Sequence, residues 1–167
     1  MSKILEAVLF EFIDSQDLAD EYQFGFRKNL STSLCTYTLK NVVNYYRQHG
    51  SHVFACFIDF NKAFDRVDYW LLFNKLIDTL SGHVGFLTVR LLAFWYSTQM
   101  MFVRWQNVSS TMFKIANGVK QGGVLSPFLF RFYIRDLISR VTRLNIGCSF
   151  LGVTMNLLAY ADDMVLL

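Results

Sequence analysis

Two carboxylates, Asp162 and Asp163, stand side by side in the run 157–167, which is otherwise almost wholly apolar. Burying one unpaired carboxylate is costly, and two neighbours add mutual repulsion. A hard divalent cation such as Mg²⁺ offsets both, because it takes oxygen ligands from one or two carboxylates and from substrate phosphates. The flanking Leu157-Leu158-Ala159-Tyr160 and Met164-Val165-Leu166-Leu167 have strand composition, which predicts a hairpin with the acidic pair at its rigid tip. A solvated turn would carry the same two residues without any metal, so the pair alone leaves both readings open. A third carboxylate, Asp59, ends the apolar run 53–58 and is placed to point into a site above a sheet. Between these lies a Gly-rich loop, residues 117–127, feeding a helix. Exposed backbone N–H groups and the positive end of a helix suit a phosphate or nucleotide there. A plain loop-to-helix junction is the alternative.

The elements that must position these groups follow from periodicity and caps. Residues 3–13 read as a helix with Ile4, Leu5, Val8, Leu9 and Phe12 on one side. Ser31 or Thr32 caps a second helix that runs to about Gln48 and stops before Gly50. Residues 52–60 form a strand, apolar on both faces as a central strand would be. Asp68 caps a third helix carrying Trp70, Phe73, Leu76, Ile77 and Leu80, and a fourth spans about 84–96. Strands at 99–106 and 111–115 flank a polar turn at 107–110. Ser126 as N-cap and Pro127 at the first helical position open a helix over 127–143, with Ile134, Leu137, Ile138 and Val141 buried. A strand at 146–151 and a turn at Gly152 lead into 153–156. Internal repeats and low-complexity segments are absent.

The chain has 167 residues, of which 53% are hydrophobic, 17% aromatic and only 17% charged, against about a quarter charged in ordinary soluble domains. Charged residues interrupt every apolar run before it is long enough to span a bilayer, so no membrane association is expected. With Glu6, Glu11 and Asp14 close to Met1, no signal-peptide core is expected in this stretch. So apolar a chain is expected to be a piece of something larger, with faces that await partners. Three scattered cysteines, Cys35, Cys56 and Cys148, suit reduced thiols in an intracellular protein, nuclear or cytoplasmic. The three histidines have no partners at zinc spacing. Net charge is +3, with a local basic excess at Lys114, Lys120, Arg131, Arg135, Arg140 and Arg143 that fits either phosphate contact or a solvated helix face.

Four segments together carry a resemblance. Phe57-Ile58-Asp59-Phe60-Asn61-Lys62-Ala63-Phe64-Asp65 resembles the first carboxylate motif of the reverse transcriptase palm. Asn117-Gly118-Val119-Lys120-Gln121-Gly122-Gly123-Val124-Leu125-Ser126-Pro127 resembles its nucleotide-pocket motif, and Tyr160-Ala161-Asp162-Asp163 its second carboxylate motif. Gln23-Phe24-Gly25-Phe26-Arg27, followed by Ser31-Thr32, is similar to a fingers-region motif of the same group. The Lys-Ala-Phe-Asp and Gln-Gly-Gly-Val-Leu-Ser-Pro wordings are similar to non-LTR (LINE-type) retrotransposons. Four motifs in order over nearly the whole chain are far more specific than any one.

The resemblance implies an α+β fold, an antiparallel polymerase-palm sheet packed on helices with part of the fingers. It implies a partial reverse transcriptase domain over 1–167, with fingers-side helices to about residue 50 and palm from about 51. It implies RNA-directed DNA polymerase activity, adding dNTPs to a primer 3′-OH, with RNA template and DNA primer as partners. Two Mg²⁺ ions, with Mn²⁺ able to substitute, would be held by Asp59, Asp162, Asp163 and the carbonyl of Phe60. Phe64 matches the steric-gate position against a 2′-OH, and its alternative is an ordinary core ring. Gln121 and Gly122 would line the dNTP pocket, while Arg27 and Lys120 would meet template, primer or triphosphate, or else solvent. Asp65 and Asp68 read as turn and cap residues. Two departures stand out. Leu30 occupies a position that is often basic in the family. The upstream fingers segment, the thumb and the other domains of a longer retroelement protein are expected to be missing. The rival expectation is a catalytically inactive relic or a non-enzymatic nucleic-acid-binding fragment.

Overall fold

The structure, a computed structural model, describes residues 2–14, 23–25 and 30–167. Helices and strands are mixed, as expected, and the chain divides into two compact units that are each discontinuous in sequence. Among the described residues no helix is long and apolar enough to cross a membrane.

The first unit comprises Met1–Asp17 and Lys62–Tyr133. Helix α1 (Ser2–Asp14) buries Leu9 and Ile13 and sets Phe10 edge-on to Phe128, with ring centroids 6.3 Å apart. Asp68 caps α3 (Tyr69–Thr79) by accepting from the Leu71 N–H at 2.8 Å. The buried stripe of α3 is Tyr69, Leu72, Phe73 and Leu76; of the expected stripe, Phe73, Leu76 and, just past the helix, Leu80 are buried. Trp70 and Ile77 face solvent, Trp70 at 71% exposure. The stripe is set by α4 (Gly82–Ser97), whose Tyr96 meets Tyr69 and Phe73 edge-on at 5.4 and 6.0 Å.

The hairpin after α4 is broken into short pieces. Strand β2 (Met100–Met101) pairs with β5 (Phe113–Lys114), and β3 (Arg104–Trp105) with β4 (Val108–Ser109). The tip falls at Gln106-Asn107, where Gln106 has φ +50°, and not over 107–110. Helix α5 (Ser126–Thr142) contributes residues to both units. It starts at Ser126 itself, one residue earlier than the expected N-cap arrangement. Phe128, Leu129, Phe130 and Phe132 are buried in its first half; of the expected stripe Ile134 and Ile138 are buried, whereas Leu137 is 45% exposed.

The second unit comprises Leu18–Asn61 and Ile134–Leu167. Helix α2 (Thr32–Gln48) is capped by Ser31, whose hydroxyl accepts from the Leu34 N–H at 3.2 Å. Its sheet has the order β1-β9-β8, antiparallel throughout: β1 (Cys56–Asp59), β8 (Leu157–Tyr160) and β9 (Asp163–Leu166). The strand expected over 52–60 is therefore shorter, and it is an edge. Among the described residues β1 pairs on one side only, and Phe57 on it is 72% exposed. An apolar run does not distinguish a central strand from an edge whose outer face is uncovered. Strands β6 (Cys148–Phe150) and β7 (Val153–Met155) turn at Leu151-Gly152, both at positive φ, as a type I′ hairpin demands. The hydroxyl of Tyr46 accepts from the Ser149 N–H at 2.7 Å and ties this hairpin to α2. Asn156 is buried and donates from Nδ2 to the Val141 carbonyl at 2.9 Å.

Candidate active site

The sheet of the second unit brings two of the three carboxylates together. In the antiparallel register of β1 and β9, Asp59 is the Cα partner of Asp163. Directly opposed residues share one face of the sheet, about 5 Å apart at Cα. Both are exposed, and both line an open depression of about 410 Å³ with Tyr160, Cys35 and Thr36. Burial raises the thiol pKa of Cys35 on that wall. Asp162, half-buried, occupies the two-residue turn between β8 and β9 together with Ala161. The acidic pair thus straddles a boundary: Asp162 belongs to the turn and Asp163 to the strand. Phe60 follows directly on β1 and is half-buried.

Like charges directly opposed on a sheet destabilise it. A cation between them reverses that sign. Among the described residues no group of three or more His, Cys, Asp or Glu side chains is gathered closely enough to hold a metal ion. Two opposed carboxylates nevertheless fit Mg²⁺, which completes its octahedron with waters and substrate phosphates and does not need an all-protein cage.

The turn itself is tightly held. Ala161 has φ +58°, a conformation that side-chain-bearing residues avoid. The buried Gln23 side chain accepts from the Ala161 N–H at 3.0 Å and donates to the Ala161 carbonyl at 3.1 Å. The Phe24 N–H adds a bond to the Ala159 carbonyl at 2.8 Å, so residues 23–24 lie along the free edge of β8.

The pocket-motif residues lie in the first unit. The Val119 N–H donates to the Phe64 carbonyl at 2.7 Å and the Gly118 N–H to that of Val67 at 2.9 Å, so the loop is laced to the turn at 64–67. Gly118 has φ +92°, and a Cβ there would lie 2.8 Å from the backbone of Asp65. Phe64 is half-buried and its ring stacks on Phe130 with centroids 4.8 Å apart. Gln121 is exposed and makes one long contact, 3.4 Å, to the Asp65 carboxylate. Gly122 is exposed at φ +76° with open space around it, and Lys120 is exposed. Arg27 lies outside the described residues. Asp68 is the cap it was expected to be.

Two residues to which the sequence assigned no role hold these loops. One is Gln23. The other is Glu6, buried on α1, whose carboxylate accepts from the Val124 N–H just before α5. A carboxylate at that helix start is favoured by the orphan N–H groups and by the dipole. The only signal for Gln23 was its place in a recognisable motif. Glu6 lay outside the expected apolar side of its helix, Ile4, Leu5, Val8, Leu9 and Phe12, so nothing marked it.

Comparison with known proteins identifies a family. A family model described as "Reverse transcriptase (RNA-dependent DNA polymerase)" matches residues 1–167. The chain is similar to the retrovirus-related Pol polyprotein from type-2 retrotransposable element R2DM of Drosophila melanogaster, at 32% identity over 97% of its length. It is 28% identical, over 82% of its length, to the probable RNA-directed DNA polymerase from transposon X-element of the same species. It is also 28% identical, over its full length, to the RNA-directed DNA polymerase from mobile element jockey of Drosophila funebris. The chain spans only 15%, 15% and 18% of those three proteins.

Proposed function

The chain belongs to the reverse transcriptase (RNA-dependent DNA polymerase) family, and on that premise we propose that it is the catalytic part of an RNA-directed DNA polymerase from a non-LTR, LINE-type retroelement. The reaction is attack of a primer 3′-OH on the α-phosphate of a dNTP, templated by RNA, with pyrophosphate leaving. The observation that carries this reading is the register that sets Asp59 opposite Asp163, with Asp162 in the adjoining turn. In this reading the three-stranded sheet is the palm surface. Asp59, Asp162 and Asp163, with the Phe60 carbonyl, hold two Mg²⁺ ions. When bound, such ions neutralise phosphate charge and make the attacking hydroxyl and the leaving oxygen more reactive. The protein's own share is positioning, which dominates phosphoryl transfer generally. Gln121 and Gly122 are assigned to the nucleotide, Phe64 to exclusion of a 2′-OH, and Arg27 and Lys120 to nucleic acid or triphosphate.

The test is binding, read on the 167-residue chain by the Mn²⁺ electron paramagnetic resonance signal. The wild type is expected to bind Mn²⁺ and to release it to Mg²⁺, and Asp162→Asn and Asp59→Asn to bind at least about tenfold more weakly. That factor corresponds to about 1.4 kcal/mol. Asp163→Asn has a second expected effect, because it removes an opposed like charge. Without divalent ions its urea midpoint rises by the equivalent of a few tenths of a kcal/mol. Affinity unchanged in both Asp59→Asn and Asp162→Asn would instead favour an inactive relic.

A further inference from the structure

We infer that Gln23 is a positioning residue for the catalytic turn: its buried amide clamps both backbone polar groups of Ala161 and thereby fixes where Asp162 and Asp163 stand. The inference rests on the reading of those two aspartates as metal ligands. Gln23 is 0% exposed. Its Oε1 accepts from two backbone N–H groups, those of Ala161 and Gly25, each at 3.0 Å. Its Nε2 donates to the Ala161 carbonyl at 3.1 Å. A primary amide carries its acceptor and its donor on two separate atoms, so Oε1 takes two N–H groups while Nε2 reaches a carbonyl. Glu in its ionised form accepts only and cannot donate to the carbonyl.

The clamp is needed because of what it holds. Ala161 is buried and sits at φ +58°, where a Cβ is disfavoured. A turn with such a residue persists only where its surroundings over-determine it. Glycine would adopt this conformation freely, yet the chain carries Ala161, whose N–H and carbonyl are both bonded by one side chain. Gly25 completes the clamp, because a Cβ there would overlap the Ala161 amide nitrogen. The two residues that follow Ala161 are the aspartates. A turn that relaxed toward negative φ would swing Asp162 and change the register in which Asp163 meets Asp59.

The test compares the 167-residue chain with Gln23→Met, Gln23→Glu, Gln23→Met/Ala161→Gly and Asp162→Asn at micromolar concentration. Two quantities are read: Mn²⁺ affinity by electron paramagnetic resonance, and hydrogen exchange of the peptide covering 159–163 by mass spectrometry. Exchange of the peptide around Leu72, in the other compact unit, reports general unfolding. Gln23→Met is expected to raise turn exchange by at least about tenfold and to weaken Mn²⁺ by about tenfold, the size typical of losing an outer partner of a metal ligand, with Leu72 exchange unchanged. Gln23→Glu keeps the acceptor and loses the donor, so it falls between. Ala161→Gly, which removes the need for the clamp, restores part of the affinity in the Gln23→Met background. Where Gln23→Met unfolds the chain, the Gln23→Glu variant decides by the same two readings. Wild-type exchange and affinity in the folded Gln23 variants, with Asp162→Asn still impaired, would overturn the clamp and leave the metal reading standing. Full affinity in Asp162→Asn would overturn the metal reading, and turn exchange would still judge the clamp.

Discussion

Asp59 and Asp163 face one another across two hydrogen-bonded strands, and that pairing gives each residue its meaning. Neither is buried, so neither carries a large desolvation cost. What the fold imposes is proximity of like charge, which a divalent cation would relieve. Phe64 is a second case in which one residue serves two ends. Its ring stacks on Phe130, and its carbonyl holds Val119 of the pocket loop. In the proposed gate role, that stacking would lend it rigidity. Replacing the matched stretch of the R2DM-type polymerase with residues 23–167 of this chain would give an active background for a test. There, Phe64→Ala is expected to raise ribonucleotide incorporation by at least about tenfold, the scale of one lost contact of ~1.4 kcal/mol. Unaltered discrimination with primer extension intact would mark the ring as packing alone.

At the scale of elements, burial and not periodicity decides which helix face matters. Helix α5 offers apolar residues on several sides, and the chain buries Leu129 completely while leaving Leu137 half in water. Leu129→Ala is therefore expected to cost about 2–5 kcal/mol in urea unfolding. Leu137→Ala should stay within about 0.5 kcal/mol. Equal losses from the two would show that the helix is rotated from the arrangement described. The pocket loop depends on α5 and α1 in turn. Glu6 satisfies an N–H at the loop's end, and the lacing of 118–119 to 64–67 fixes its start. Gly118 is required there by its positive φ and by the Asp65 backbone against it.

At the scale of the whole molecule, large apolar side chains remain in water in both units. Phe54 and Phe57 of one and Trp70, Phe94 and Trp105 of the other are all exposed. Monomeric proteins seldom show so much apolar surface without a partner to cover it. The 167-residue chain is expected to self-associate as its concentration rises, read as a shift to larger species in gel filtration, and to bind an apolar dye. It is also expected to show no measurable primer extension on poly(rA)·oligo(dT) with Mg²⁺ or Mn²⁺. A displacement of about 1 Å at the reacting centre already costs on the order of 10²-fold in rate. A monodisperse chain with steady extension lost in Asp162→Asn would show that 15% of the relatives' length suffices for turnover.

The sequence by itself determined what depends on neighbours along the chain. The Asp68 and Ser31 caps, the hairpin around Ala161-Asp162, the turn at Gly152 and the motif residues Asp59, Gln121, Asp162 and Asp163 are all local chemistry. Local chemistry survives being read one residue at a time. Only the tertiary structure decided what depends on residues far apart in sequence. Trp70 and Tyr69 are equally apolar, and the packing of α4 against α3 made one surface and the other core. The run 53–58 has the composition of a central strand, and β1 became an edge because β9 pairs along one side of it alone among the described residues. Gln23 and Ala161 are 138 positions apart. No periodicity links a buried amide to the one peptide unit it matches, because hydrogen bonds between distant segments leave no mark on the spacing of either.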